Sequence, residues 1–161
     1  MIWMLIILAV TVLDQASKYI IKANIDYGDK IHVIDNFFYL TYHGNTGAAW
    51  GILQDGRLIL IPLTIITSAV LFYILFKTDS RVLKVSLSFI LGGAIGNLID
   101  RAFIGAVTDF LEFHFGSYVF PTFNIADSFI VVGTGLLAYY MLFINKDFGQ
   151  SKTDGNENSN N

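Results

Sequence analysis

The chain has 161 residues, 54% of them hydrophobic and 14% charged, with a mean hydropathy of +0.58. A water-facing domain carries about 25% charged residues, so the composition excludes an ordinary soluble domain and points to an integral membrane protein. The net charge of −3 gives no basis for a nucleic-acid partner, and the lack of cysteine removes disulfides, cysteine-based zinc sites and a thiol nucleophile together.

Residues 2–21 form the first apolar run, long enough for a span of about 20 residues. It has neither the basic leading region nor the small-x-small site of a cleaved signal peptide, so it reads as a retained helix. Asp14, Gln15, Ser17 and Lys18 interrupt it. Asp14 and Lys18, spaced i, i+4, share one helix face and can pair there. Two readings stand: a local pair near a helix end with Lys18 snorkelling to the interface, or polar groups facing the interior of a bundle.

Asp26, Tyr27, Gly28 and Asp29 read as a turn. Residues 31–42 are rich in β-branched and aromatic side chains and predict strand, in a short sheet at the membrane interface where Tyr and Trp are favoured. Asn45 follows Gly44 and from composition alone reads as a turn residue tolerating left-handed geometry. His43 beside it is a lone histidine without ligand-spaced partners, and no metal site is expected.

A second span is expected over residues 58–76, a polar loop over 77–81, and a third span over 82–103. Gly92, Gly93 and Gly96 suit the third span to close helix packing. Asn97, Asp100 and Arg101 lie at its far end, with Asn97 and Arg101 on one face. A segment with Asp109 in a loop and Phe110, Phe113 and Phe115 after it leads to a fourth span over 125–144. Residues 149–161 are polar and read as a disordered tail, leaving 1–148 as one four-helix domain.

Four spans fix a parity. Asp14, Lys18, Asn45, Asn97, Asp100, Arg101, Asp109, Asn124 and Asp127 must all fall toward one face of the membrane. Lys77, Arg81 and Lys84 occupy the opposite short loop, with Lys146 and Lys152 in the tail, whereas residues 102–124 carry no Lys or Arg. The positive-inside rule then places both termini in the cytoplasm and the polar cluster outside, although Lys22, Lys30 and Arg57 on the outer loop weigh against it.

Asp127 sits three residues into an apolar run, where an ionisable group costs roughly 2.5–3.5 kcal/mol at a helix centre. Taken singly, Asp127 reads as an acid in a helix first turn, Asn124 as that helix's N-cap, and Asp109 as an interfacial acid. Together, Asp109 and Asp127 in a poorly hydrated site cannot both ionise easily, so the pair shares a proton. Such a pair supplies a general base to activate water and a general acid for the reacting carbonyl or leaving amine. The sequence has no HExxH or GxSxG element, and His32, His43 and His114 lack ligand spacing.

Several stretches resemble the signature boxes of the bacterial lipoprotein signal peptidases, the signal peptidase II family: Asn45-Thr46-Gly47-Ala48-Ala49-Trp50-Gly51, Gly93-Ala94-Ile95-Gly96-Asn97-Leu98-Ile99-Asp100-Arg101, Gly105-Ala106-Val107-Thr108-Asp109-Phe110 and Phe123-Asn124-Ile125-Ala126-Asp127-Ser128. Asp14-Gln15 with Lys18 is similar to the family's first box, and Thr108 departs from the commoner Val. The resemblance implies a mainly α, four-helix membrane aspartic endopeptidase with a small extracytoplasmic β-cradle and no cofactor. It implies catalytic roles for Asp109 and Asp127, and a site lined by Asn45, Asn97, Arg101 and Asn124 with Asp14 and Lys18 in support. The implied substrate is a diacylglyceryl-modified prolipoprotein, cut by a monomer in the lipid of the bacterial cytoplasmic membrane just before the lipidated cysteine. The aromatic-rich segments 31–50 and 110–123 are expected to clamp it, with bulky residues such as Phe113 and Phe115 holding the lipopeptide.

The competing class is a proton- or cation-coupled transporter using Asp14, Asp109 and Asp127 as relay groups. Ion sites of that kind lie near the midplane between structural repeats, whereas these acids gather at one mouth and no repeat is visible. A purely structural protein would leave the acid pair unexplained.

Overall fold

A computed structural model describes residues 1–47 and 54–145. Ala48 to Gly51 of the first signature box and the tail expected to be disordered lie outside the described residues. Four helices are long and apolar enough to cross a membrane: α1 (Ile2–Asn24), α2 (Arg57–Lys77), α3 (Arg81–Phe103) and a fourth over Ile125–Ile144. The last is α4 (Ile125–Tyr139) closed by a π-helical turn (Tyr140–Ile144). All four follow the apolar runs to within three residues of the expected ends, because lipid leaves the backbone no partner outside its own helix.

α3 is the central helix, packed against α1, α2 and α4, while α1 and α2 scarcely meet. Its glycines make this possible. A Cβ on Gly92 would strike Val10 of α1, one on Gly96 would strike the Asp14 carboxylate, and one on Gly93 would strike the Ala126 carbonyl of α4. Gly133 of α4 lies as closely against Ser86 and Ile90 of α3, and the Ser86 hydroxyl donates to the Gly133 carbonyl at 2.8 Å. Ile7, Leu75, Leu83, Leu87 and Leu91 fill the centre between helices. The outward faces carry exposed Leu63, Ile66, Val70 and Val131, a surface suited to lipid.

Gly93→Ala is expected to force α3 and α4 apart, since the obstacle is backbone and cannot swing away. Overpacking of this kind costs about 1–3 kcal/mol, and α4 carries Asp127. A lowered melting temperature with reduced peptide cleavage is expected; wild-type values for both would show that the interface relaxes freely.

Outside the bundle lies an antiparallel sheet in the order β1 (Lys30–Ile34), β2 (Phe38–Asn45), β3 (Val107–Phe115), β4 (Tyr118–Val119). The apolar stretch expected as strand is a hairpin, turned at residues 35–37 where Asn36 takes φ of 58°. Asp109, expected in a loop, lies inside β3. The strand alternates: Phe110 points toward the bundle and packs with Ile21 and Ile25, while Asp109 points to the opposite face. On the rest of the sheet Phe38 stacks on Phe113, and Phe113 on Phe123. Glu112, buried on the other face, bonds Lys30 and His114. Burial works against its charge, but these two partners hold its carboxyl below the usual range.

Candidate active site

Two elements deliver the carboxylates. β3 presents Asp109, opposite His43 of β2, so Asn45 lies two residues along on the same face and its Nδ2 donates to Asp109 Oδ2 at 3.1 Å. Phe123 pairs with Leu111 of β3 through its backbone, which sets the start of α4 beside Asp109. There Asn124 is the N-cap and closes a capping box with Asp127. The Asn124 Oδ1 accepts from Asp127 N at 2.9 Å, and Asp127 Oδ2 accepts from Asn124 N at 3.3 Å. The same Asn124 donates its Nδ2 to Asp109 Oδ1 at 2.7 Å. Capping and site-building are therefore one arrangement, and a single buried residue bridges both acids, by its side chain to the Asp109 carboxylate and by its backbone N to that of Asp127.

Beneath them lies a polar platform. Lys18 and Asp14 are fully buried, which overturns the snorkelling alternative. Lys18 Nζ reaches Asp14 Oδ2 at 2.8 Å, Asn97 Oδ1 at 2.9 Å and Asp100 Oδ2 at 3.2 Å. Each of these partners reaches on toward an acid. Asn97 Nδ2 donates to Asp127 Oδ1 at 2.8 Å. Asp14 Oδ1 accepts from Ala126 N at 2.9 Å, one residue before Asp127. Asp100 Oδ2 accepts from Thr108 N at 2.9 Å, one residue before Asp109. Gln15 Nε2 donates to Asp14, Asp100 and the Gly96 carbonyl at 3.0–3.2 Å.

Arg101 joins from the rim. Its Nη2 donates to the Gly47 carbonyl at 2.8 Å, and Gly47 N donates to Asn45 Oδ1 at 2.9 Å. The Arg101 Nε is buried with no partner among the described residues. All eight residues singled out in the sequence thus fall in one hydrogen-bonded network. Asp100 and Gln15 belong to it as well, although sequence reasoning gave neither a role. A usable signal was present for Asp100, which lies three residues after Asn97 on the same helix face.

The acids open on a cavity of about 590 Å³ lined by Asn45, Asn97, Arg101, Val107, Asp109, Phe120, Pro121, Thr122, Phe123, Asp127, Ser128 and Ile130 to Val132. One wall is polar and the other apolar, the latter continuing along α4 into its exposed Val131 and Val132. Of the 110–123 segment expected as a clamp, Phe120 and Phe123 line it, whereas Phe113 and Phe115 do not. Burial and the nearby Asp127 charge push the Asp109 carboxyl up to about 7, against the pull of its Asn45 and Asn124 hydrogen bonds. Such a group holds or releases a proton near neutrality. Among the described residues no group of three or more His, Asp or Glu is placed to hold a metal.

The family model for signal peptidase (SPase) II matches residues 6–143. The chain belongs to the signal peptidase II family. The lipoprotein signal peptidase of Bacillus pumilus (strain SAFR-032) is 44% identical over 155 residues, 95% of this chain and 100% of that protein. That of Listeria monocytogenes serotype 4a (strain HCC23) is 43% identical over 143 residues, 88% of this chain and 93% of the relative. Two solved bacterial membrane enzymes share the fold. One, determined in meso at 2.3 Å, has a TM-score of 0.81 and 36% identity, covering 96% of this chain and 92% of its own. The other, at 1.9 Å, gives 0.79 and 39%, covering 88% and 93%. The chain is a multi-pass membrane peptidase of the signal peptidase II type.

Proposed function

We propose that this signal peptidase II removes signal peptides from diacylglyceryl-modified prolipoproteins, cutting just before the lipidated cysteine, with Asp109 and Asp127 as the catalytic pair. The observation that carries the assignment is Asn124, whose side-chain amide bonds the Asp109 carboxylate and whose backbone N bonds the Asp127 carboxylate, at the mouth of a cavity whose lining runs out along α4.

In this reading the pair starts with one proton between them. The ionised carboxylate takes a proton from water as its oxygen attacks the carbonyl carbon before the cysteine. The protonated partner gives its proton to the carbonyl oxygen or the departing amine, the C–N bond breaks, and the cysteine leaves with a free amine. The acids titrate as a pair, so the shared proton belongs to neither alone. Asn45, Asn97 and Asn124 hold the carboxylate oxygens in place. Arg101, at the rim of the cavity, sets its positive charge toward the substrate, and Phe120 and Phe123 pack against the lipid-bearing end.

Residues 1–148 act as one domain, and a monomer suffices because one chain supplies both acids. The basic residues 77, 81 and 84 support an orientation with both termini in the cytoplasm and the site near the extracytoplasmic face. The test is cleavage by purified protein of a prolipoprotein with and without its diacylglyceryl group. Cutting of the modified form alone, before the cysteine, is expected; equal cutting of both would remove lipid recognition from the proposal.

The alkaline limb of the pH–rate profile is expected near pH 7, where the pair loses its shared proton. Asn45→Ala removes a hydrogen bond that favours the ionised form of Asp109, so this limb should move to higher pH, not lower. A shift downward would show that Asn45 acts otherwise.

A further inference from the structure

At the opposite face of the membrane, α1 begins, α2 ends and α3 begins. Because α1 and α2 both lean on α3 and scarcely meet, a cleft of about 240 Å³ opens between them. Its walls are Met1, Trp3 and Met4 of the first helical turn, Leu75 and Phe76 of α2, and Lys84 of α3. The Lys84 Nζ stands over the Trp3 ring, 6.0 Å from its centroid. Met4 and Phe76 are exposed at the lipid side, so the cleft passes from a cation directly into apolar surface.

Among the described residues the cations at this corner, Lys77, Arg81 and Lys84, have no ion-pair partner: no carboxylate lies within 4 Å of them. The first turn of α3 carries Arg81 and no acid, although that end of a helix is the positive end of its dipole and disfavours cations. An anion in the cleft would meet the Lys84 ammonium, the α3 side chain of its lining. Asp79 is the acid nearest in sequence, and it makes no ion pair there.

From this geometry we infer a binding site for an anionic glycerophospholipid. Its phosphate pairs with Lys84, its glycerol backbone lies against Trp3, and its chains run out past Met4 and Phe76. The volume is below the roughly 300–1,000 Å³ of pockets that enclose a drug-sized ligand, so it takes the head group and leaves the chains in the bilayer. Basic pockets between membrane helices bind anionic head groups by the same physics. The site is independent of the peptidase reading; only its assignment to the cytoplasmic leaflet rests on the proposed orientation.

The chain has two tryptophans, so Trp50→Phe leaves Trp3 as the sole fluorophore. In that background, reconstituted in vesicles, Trp3 should be quenched more by brominated phosphatidylglycerol than by brominated phosphatidylcholine. Lys84→Gln should cut the preference by about fivefold, the factor matching about 1 kcal/mol per basic residue near a membrane surface. Lys77→Gln is the control, because its Nζ lies over Tyr73, outside the cleft. Unchanged monodispersity and helix content certify each variant as folded. Equal quenching by the two lipids, no loss in Lys84→Gln, or an equal loss in Lys77→Gln would each overturn the site.

Discussion

Asp109→Asn and Asp127→Asn are each expected to lower cleavage by about 10²–10⁴-fold, the range that a positioned acid or base contributes. The amide keeps the shape of the side chain and cannot exchange the proton. For Asp109→Asn a second signature separates a dead site from a broken fold. Both Asp109 oxygens accept from amides, Asn124 and Asn45, so the new NH2 must face one of those donors and one hydrogen bond is lost, at about 1 kcal/mol. Against this stands the removal of a carboxyl that folds with its pKa near 7, compared with about 3.9 in an unfolded chain. With the folded value raised, its contribution to stability is fully present below about pH 4 and is lost as pH rises through 7. At pH 8 the wild type therefore carries a cost of up to roughly 4 kcal/mol that the amide does not. The variant should keep that loss of cleavage at every pH, melt higher than wild type at pH 8, and melt no higher near pH 4. Near-normal turnover would remove Asp109 from the chemistry; a lower melting temperature at pH 8 would show that the hydrogen bonds outweigh the charge.

The sequence made much of this site readable, and the reasons differ by residue. The spans were legible because the bilayer enforces one simple requirement, about 20 apolar residues, and parity then gathered Asp14, Lys18, Asn97, Asp100, Arg101 and Asp127 at one mouth. Asp127 was legible because an acid in an apolar run is costly. The place of Asp109 was not, since strand or loop depends on a partner strand more than 60 residues away, and only the register with His43 settles it. Lys18 stayed ambiguous for the same kind of reason: its i, i+4 partner is local, but Asn97 and Asp100, which justify full burial, come from another helix. Asn124 shows that a structural reading and a functional one need not compete. Its N-cap geometry is what aims its other amide atom at Asp109.

Lys18→Met should be the most damaging change outside the acid pair. Lys18, Asp14 and Asp100 are all shielded from solvent, and removal of one partner from a buried ionic cluster costs about 3–5 kcal/mol because the remaining charges are left unpaired. Here the abandoned groups are the two carboxylates that anchor the backbone amides of Ala126 and Thr108. The loss therefore travels to the residues directly before Asp127 and Asp109, and cleavage should fall along with the melting temperature. Adding Asp100→Asn to Lys18→Met removes one of the two unpaired charges, so part of the stability should return. Activity should return less, since Asn97 still lacks the ammonium that orients it toward Asp127. If Lys18→Met melts and cuts like wild type, the platform is relaxed by water or by proton uptake and the acids hold their positions without it. If the double variant recovers rate and stability in equal measure, the defect lies in buried charge alone, and Lys18 has no positioning role through Asn97.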